Sequence, residues 1–170
     1  MSSITAEVYA IGDKIVHPMY GAGTVTDIVT YDPYGRGPRY YVFQMPVGTM
    51  TVSIPVENAG QLGVRPVCTA PEADALLERM AAFQISSENN WNRRFKDNAL
   101  RIKSGDETEL LTVLRSLTDR EKIKELSMGE RKMYRTAVQI FASEIAVAKS
   151  MEYRAAEELV YATLGRERRV

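Results

Sequence analysis

The first 70 residues alternate apolar and polar positions with the short period of β-strands. In Met50–Ile54, for example, Met, Val and Ile alternate with Thr and Ser, which predicts a strand with one buried face. Three other short segments, 13–17, 24–29 and 40–43, are rich in β-branched and aromatic residues and also predict strands. Glycines and prolines between the segments predict tight turns, so we expect a small, strongly bent antiparallel β-barrel.

Beyond Pro66–Pro71 the apolar positions recur with the 3.6-residue period of helices. Pro71 can occupy the first turn of a helix, and a helix that contains Trp91 is predicted to end at Gly105. The apolar positions of the first of these helices are Leu76, Leu77, Met80 and Phe83.

Capping motifs predict two further helix starts. Asp106 and Glu109 have capping-box spacing with Asp in place of Ser, whereas Ser127 and Glu130 form the standard box. The helix after Ser127 is long and apolar on more than one side, so we expect it at the centre of a bundle. A fifth helix is predicted from near residue 152 to 164. The apolar positions of the third helix are Leu110, Val113, Leu114 and Leu117.

Together these patterns predict an α+β protein with two domains. A small antiparallel β-barrel would occupy residues 1–68, and an all-α bundle of about five helices would occupy residues 69–170.

Composition narrows the classes of function. Hydrophobic residues make up 45% and charged residues 26% of the 170 residues, which is typical of a globular protein with a core. The 22 Lys and Arg balance 22 Asp and Glu, so any contact with nucleic acid must be local. A single cysteine, Cys68, excludes an intrachain disulfide and favours a reducing cytoplasm. No signal peptide is expected, and no apolar run approaches the roughly 18 residues of a membrane helix.

The strongest candidate for chemistry is the only tryptophan, Trp91. The segment from Trp91 to Lys103, with both ends included, contains five cations and one anion. Such cations can hold phosphates while the flat ring presses against a base step. The alternative is that Trp91 begins a buried helix face, because Trp91, Phe95, Ala99 and Ile102 lie on one helical stripe.

Catalytic and metal-binding motifs are scarce. One histidine, His17, and one cysteine cannot form the usual four-ligand zinc site without carboxylates. His17 lies at a predicted strand end and is interpreted as structural, and Cys68 has no companion ligand. Gly21–Gly23 lacks a third glycine and leads into a strand, so a turn is favoured over a phosphate-binding loop. We expect no enzyme activity, cofactor, metal or small-molecule substrate.

A group of aromatic residues in the predicted barrel offers a weaker possibility, an aromatic cage for a methylated cation. No spacing specifies the carboxylate partner of a cage, so we favour core positions for alternate residues and surface positions for the loop tyrosines. The residues are Tyr20, Tyr31, Tyr34, Tyr40, Tyr41 and Phe43.

Six segments, in order from about residue 8 to about 165, resemble the CarD/CdnL family of bacterial transcription regulators. The first is similar to a G-D-x-V-V-[YH]-P-x-x-G start that the family shares with transcription-repair coupling factors. The helical segments point to the CarD-like group, because the coupling factors share only the first domain. The segments are Ile11–Pro18 with Gly21, Thr51–Ala59, Gly63–Arg65, Asn90–Lys96, Ser104–Asp106 and Leu126–Met133.

The resemblance implies a Tudor-like barrel that binds the RNA polymerase β subunit and a helical domain that touches promoter DNA. It also implies that the tryptophan matching Trp91 wedges at the minor groove, beside the upstream edge of the transcription bubble. Basic residues would contact or face the DNA backbone. The predicted DNA-binding residues are Trp91, Arg93, Arg94, Lys96, Arg131 and Lys132.

One departure concerns the polymerase contact. The family often carries basic residues where this chain has Tyr31 and Ser53, so the contact here should rely on backbone pairing and apolar side chains. The predicted polymerase-binding residues are Tyr31, Met50, Thr51, Val52 and Ser53.

The sequence therefore predicts a cytoplasmic, non-enzymatic regulator that stabilises the open promoter complex with little sequence specificity. The alternative is a protein-interaction module that binds RNA polymerase without touching DNA, in which Trp91 belongs to the core.

Overall fold

The computed structural model of this protein describes residues 9–82 and 91–165, except for the side chains of residues 91–93. A five-stranded antiparallel sheet is followed by five helices, which confirms the α+β class. We call these parts the sheet unit and the helical unit; the predicted domain boundary at residue 68 stays a prediction. Within the described ranges, no helix is both long enough and apolar enough to cross a membrane.

The sheet has the spatial order β4-β3-β2-β1-β5. Its strands are β1 (Lys14–His17), β2 (Gly21–Thr30), β3 (Arg39–Gln44), β4 (Thr51–Pro55) and β5 (Arg65–Pro66). Since β4 and β5 lie at the two edges and do not pair, the sheet described here is open and barrel closure is not confirmed. The two-residue β5 was not predicted, because it is too short to carry a periodic signal.

Strand alternation sends neighbouring side chains to two different cores. Ile15 packs in the core of the sheet unit, whereas the adjacent Val16 packs with residues of the helices. The sheet core consists of Tyr9, Ile15, Val25, Tyr41, Phe43, Met45, Ile54, Ala59 and Val64. The sheet therefore has its own core and also contributes one face to the core of the helical unit.

The predicted turn is present at residues 18–20, but it ends before Gly21–Gly23, because β2 begins at Gly21. Gly21 has a φ of +96°, a conformation that L side chains rarely adopt. A Cβ at this position would lie 2.3 Å from the Ser143 Oγ atom, so glycine is required where β2 meets the fourth helix. The glycines of this segment therefore permit close packing as well as a change of chain direction.

The five predicted helices are present. They are α1 (Ala70–Ala82), α2 (Trp91–Lys103), α3 (Glu107–Ile123), α4 (Met128–Lys149) and α5 (Tyr153–Thr163). Leu76, Leu77 and Met80 of α1 are buried as expected, while Phe83 lies outside the described residues. Gly105 follows the end of α2 with a φ of +72°, as expected of a glycine beyond a helix C-terminus.

Both predicted caps are confirmed. The Asp106 carboxylate accepts a hydrogen bond from the Glu109 amide at 3.0 Å. Ser127 and Glu130 form a complete capping box, in which each side chain accepts a hydrogen bond from the other residue's amide. These local contacts determine where α3 and α4 begin.

Helix α4 is the centre of the helical unit. It packs against β2 and against all four other helices, as expected from its apolar positions. The core around it includes Tyr134, Ile140, Phe141 and Ile145, together with Ala22 from the sheet. One continuous core therefore joins the helices to the sheet.

Candidate functional site

In the described part of the chain, no strand pairs with the outer edge of β4. The amide of Met45 donates to the carbonyl of Met50 at 3.1 Å, which marks this pair as hydrogen-bonded toward β3. Such pairs alternate along an antiparallel ladder, so the N–H and C=O groups of Thr51 and Ser53 point to the free edge. Pro55 ends the strand and has no N–H to offer. Among the described residues, this edge is open to another strand.

The structure brings together Tyr31 and Ser53, the two predicted polymerase-binding residues at which the sequence differs from the family pattern. The hydroxyls of Tyr31 and Ser53 lie 3.0 Å apart in a hydrogen bond, and the Tyr31 ring centroid lies 5.3 Å from that of Tyr40. Tyr31 is 67% exposed. Met50, Thr51 and Ser53 are exposed and Val52 is half-buried. The predicted set therefore forms an uncharged surface beside the open edge.

The predicted DNA-binding residues of α2 lie near its start. The side chains of Trp91 and Arg93 lie outside the described residues. Lys96 is exposed, whereas Arg94 is half-buried. The Arg94 Nε atom is buried and has no hydrogen-bond partner among the described residues. Two cations of the predicted set therefore occupy the first turns of α2 with different degrees of exposure.

The remaining predicted cations lie in the first turn of α4. Arg131 and Lys132 are exposed, and Arg131 forms an ion pair with Glu125. A Cβ at Gly129 would lie 3.3 Å from the ring of Phe95, so the start of α4 packs closely against α2. The fold therefore brings the two basic segments to one end of the helical unit.

Among the side chains that the structure describes, the inward face of α2 is more deeply buried toward its C-terminal half. Ile102 is buried and is joined by Asn98, while Phe95 and Ala99 are half-buried. The core interpretation of the stripe is thus confirmed for Ile102. For Trp91 it stays a prediction, since the Trp91 side chain lies outside the described residues.

A buried carboxylate holds the start of α4 in place. Glu130 is almost fully buried, and its Oε2 atom lies 2.8 Å from Arg120 Nε near the end of α3. The same residue completes the capping box with Ser127. The turn that presents Arg131 and Lys132 is therefore anchored by charge-assisted contacts.

A second buried carboxylate, Glu144, was not predicted as a functional residue. Both its oxygens accept hydrogen bonds from the Arg65 guanidinium at 2.7 Å, and one also accepts from the Cys68 amide at 3.1 Å. Arg65 also contacts Glu107 at 2.9 Å. The sequence feature that could have identified Glu144 is its position as a single carboxylate in the apolar segment 140–148. Its partners are far away in the sequence, so the signal did not identify them.

The donor atoms of Cys68, Glu107 and Glu144 lie within 4.8 Å of one another, a spacing that could hold a metal ion. Burial and the neighbouring Glu144 carboxylate raise the pKa of the Cys68 thiol to about 12, so this sulfur stays protonated at neutral pH. Burial also raises the pKa of Glu107. Since Arg65 occupies both oxygens of Glu144, the arrangement is best described as an ion-pair network.

The remaining candidates are His17 and the aromatic group of the sheet, and their contacts support the fold. The His17 Nδ1 atom accepts a hydrogen bond from the Met19 amide at 3.0 Å, and burial lowers the His17 pKa. This contact agrees with the structural interpretation of the histidine. Tyr41 and Phe43 are buried in the sheet core, while Tyr34 is exposed, so the core interpretation of the aromatic group is confirmed for these residues.

Comparison with known proteins finds two family models along the chain. The model described as "CarD-like/TRCF RID domain" matches residues 9–68, and the model described as "CarD, C-terminal domain" matches residues 75–161. A curated protein of Bacillus subtilis (strain 168), named "Putative transcription factor YdeB", is 34% identical over 147 residues. This alignment covers 85% of the chain and 94% of the relative, so the similarity extends through both units.

Proposed function

Because the chain belongs to the CarD-like family of transcription regulators, we propose that it docks on RNA polymerase through its sheet and holds open promoter DNA through its helices. The partner of the sheet is the polymerase β subunit. The DNA contact consists of Trp91 at the minor groove by the upstream edge of the bubble, with cations on the phosphates. The boundary between the two functions lies near residue 68.

The free edge of β4 supports the docking role. An extended segment of the polymerase can pair with the outward backbone groups of Thr51 and Ser53 and so continue the sheet. The five predicted side chains at this edge, Tyr31 and those of residues 50–53, are uncharged, so affinity depends on backbone hydrogen bonds and apolar contact. This mode of binding does not require the basic residues that the family often has at positions 31 and 53.

The juxtaposition of Phe95 and Gly129 is the observation that carries the DNA role. It brings Lys96 of α2 to the same end of the helical unit as Arg131 and Lys132 of α4. Trp91 precedes Phe95 by one helical turn, so its backbone position lies at the same end of α2. Cations around one large aromatic ring suit a surface that grips phosphates and presses on a base step.

The mechanism is preferential binding to the melted promoter. A ligand with equal affinity for closed and open DNA would not shift their equilibrium. An indole that fits only at a distorted, partly unpaired step binds the open state more tightly and slows its collapse. Phosphate contacts orient the protein but read no sequence, so many promoters should respond.

Substitution of Trp91 tests this proposal. Trp91→Ala should shorten the lifetime of open complexes by about fivefold or more, since stacking against a base contributes about 1–3 kcal/mol. Leu100→Ala is the matched control, because Leu100 is an apolar residue of the same helix that is 66% exposed and outside the predicted set. Open-complex lifetime is measured with purified polymerase after competitor challenge, and circular dichroism melting reports folding.

The fluorescence of the only tryptophan distinguishes the alternative. An accessible indole is quenched by acrylamide and loses this quenching when polymerase and promoter are added. A blue-shifted signal that resists quenching, together with unfolding of Trp91→Ala, would instead identify an interaction module with Trp91 in its core.

A further inference from the structure

We propose that Glu144 is a positioning residue that fixes the orientation of the sheet unit relative to the helical unit. In this role it ensures that docking on the polymerase delivers the basic end of the helices to promoter DNA. The inference rests on the proposed function, but the orientation itself can be measured without polymerase or DNA.

Glu144 lies at a junction between both units. It is 1% exposed on α4, and its two oxygens receive the paired Nη1 and Nη2 atoms of Arg65 from β5, each at 2.7 Å. The amide of Cys68, in the segment that leads from β5 to α1, donates to the same carboxylate at 3.1 Å. A single helical side chain therefore holds both the last strand and the connecting segment.

Arg65 extends this junction to the turn between α2 and α3. Its Nε atom donates to the carbonyl of Gly105 at 3.0 Å, and Nη1 lies 2.9 Å from the Glu107 carboxylate. The guanidinium is planar and its donors have fixed directions, so these contacts are compatible with only a narrow range of orientations. Arg65 thus connects β5 to both α3 and α4.

The burial of the Glu144 carboxylate favours one relative orientation of the sheet and α4. A buried carboxylate is costly unless its charge is matched and its lone pairs are used, and the geometry around Glu144 satisfies both conditions. Any rotation of the sheet against α4 would separate the Arg65 guanidinium from Glu144 and leave the buried carboxylate unmatched. An apolar contact of the same area would resist movement of the sheet along α4 much less, because the hydrophobic effect does not depend on orientation.

A neighbouring contact restrains the same interface. The Ser143 hydroxyl accepts a hydrogen bond from the Ala22 amide at 2.8 Å, next to the close approach at Gly21. Ser143 and Glu144 are consecutive on α4 but hold different strands, β2 and β5. Two directional contacts on different strands restrict rotation more than one contact can.

A fixed orientation matters because the two contacts act together. When one part of a molecule is bound, the other part meets its target at an effective concentration that depends on geometry. If the units could rotate, sheet docking and DNA binding would each survive, while their combined effect on the open complex would fall. This loss of coupling separates a positioning residue from one that merely stabilises the fold.

The orientation is measured by electron–electron double resonance between nitroxide labels on Asn58→Cys and Arg154→Cys in the full chain. Both positions are exposed, one in each unit, and neither belongs to the predicted binding sets. The native Cys68 is buried and its thiol stays protonated, so it reacts slowly with the label. We expect a narrow distance distribution with Glu144 intact and a broader or shifted one in Glu144→Gln.

The same substitution, made in the unlabelled chain, is then tested in function. Glu144→Gln should keep polymerase affinity and promoter affinity, each measured alone, within about twofold of the original protein. It should shorten the open-complex lifetime by about threefold or more, because the effective concentration falls. Asp74→Asn is the control, because Asp74 pairs with Lys149 entirely within the helical unit and should change neither distance nor lifetime.

An unchanged distance distribution in folded Glu144→Gln would overturn the inference, and so would an unchanged lifetime. If Glu144→Gln does not fold, Arg65→Lys replaces it with the same expectations, because lysine keeps the charge but loses the two-pronged geometry. If the original protein fails to bind polymerase or to prolong open complexes, the proposed function fails instead. The distance measurement then still decides whether Glu144 sets the orientation.

Discussion

The side-chain hydroxyl of Ser143 accepts a hydrogen bond from the backbone amide of Ala22 at 2.8 Å, although 121 positions separate the two residues. Both residues are fully buried. The same hydroxyl donates to the carbonyl of Ile140 at 2.8 Å, so it is held by its own helix while it accepts from the strand. This contact joins the start of β2 to α4 and leaves room only for a glycine at position 21.

Gly21→Ala should destabilise the protein more than Gly12→Ala. Both glycines have a φ of +96°, so each substitution carries a backbone penalty of about 1–2 kcal/mol. Gly12 has open space around it among the described residues, whereas a Cβ at Gly21 would lie 2.3 Å from Ser143 Oγ. Each loss in the free energy of unfolding is measured with urea. The difference between the two losses is the cost of the steric clash between the added Cβ and Ser143. Equal losses would show that α4 can move away from β2 easily.

Ser53→Pro should abolish polymerase binding with little loss of stability. The Ser53 N–H points away from β3, so proline removes a group that only a partner strand would use. Ser53→Ala is the control, because it keeps the backbone donor and removes only the hydroxyl that contacts Tyr31. The affinity of each variant is measured by its binding to surface-immobilised polymerase β subunit. Wild-type affinity in folded Ser53→Pro would argue against strand pairing at this edge.

Lys96→Ala should weaken DNA binding to a similar extent at all sequences. Removal of one lysine–phosphate interaction is expected to reduce the slope of log K against log salt by about 0.9. Lys14→Ala is the matched control, since Lys14 is also an exposed lysine but lies in the sheet unit. Titrations of a bubble-containing duplex at several salt concentrations give the slope. A slope that does not change would remove Lys96 from the DNA-binding surface.

His17 should make the protein less stable in mild acid. Burial lowers its pKa in the folded state below the ordinary value near 6.5, and its Nδ1 must be unprotonated to accept from the Met19 amide. The stability that the neutral ring contributes is therefore complete above the unfolded-state pKa and is lost as pH falls through the folded-state pKa.

The control for this prediction is His17→Asn, whose side chain does not titrate in this range. Urea unfolding at pH 7.5 and pH 5 should show a smaller loss of stability in the variant than in the original protein. The same loss in both proteins would assign the acid sensitivity to other groups.

Local signals predicted the helical unit well. A helix start depends on contacts within three residues, so the caps at Asp106 and Ser127 could be read from spacing alone. Burial of Leu76, Leu77 and Met80 followed from the 3.6-residue period in the same way. Strand alternation also located β1 to β4, but β5 and the start of β2 at Gly21 depend on neighbours that are distant in sequence.

The candidate sites likewise combine features that sequence patterns predict with features that depend on tertiary packing. Composition and motif spacing identified the basic segment after Trp91 and the alternating strand at residues 50–54. The sequence could not show that Tyr31 bonds to Ser53, because the two residues meet only after strands from different segments pair. The proximity of Phe95 to Gly129 likewise required the packing of two helices.

The sequence by itself determined the helices with their caps, four of the five strands and the membership of the CarD-like family, because these depend on periodicity, local hydrogen bonds and motif spacing. Only the tertiary structure decided that β4 lies at a free edge of the sheet among the described residues and that Arg65 and Glu144 join the two units. The physical reason is that an ion pair on a buried carboxylate, between residues far apart in the chain, forms only when the whole fold brings the two groups together, and no local pattern records that event.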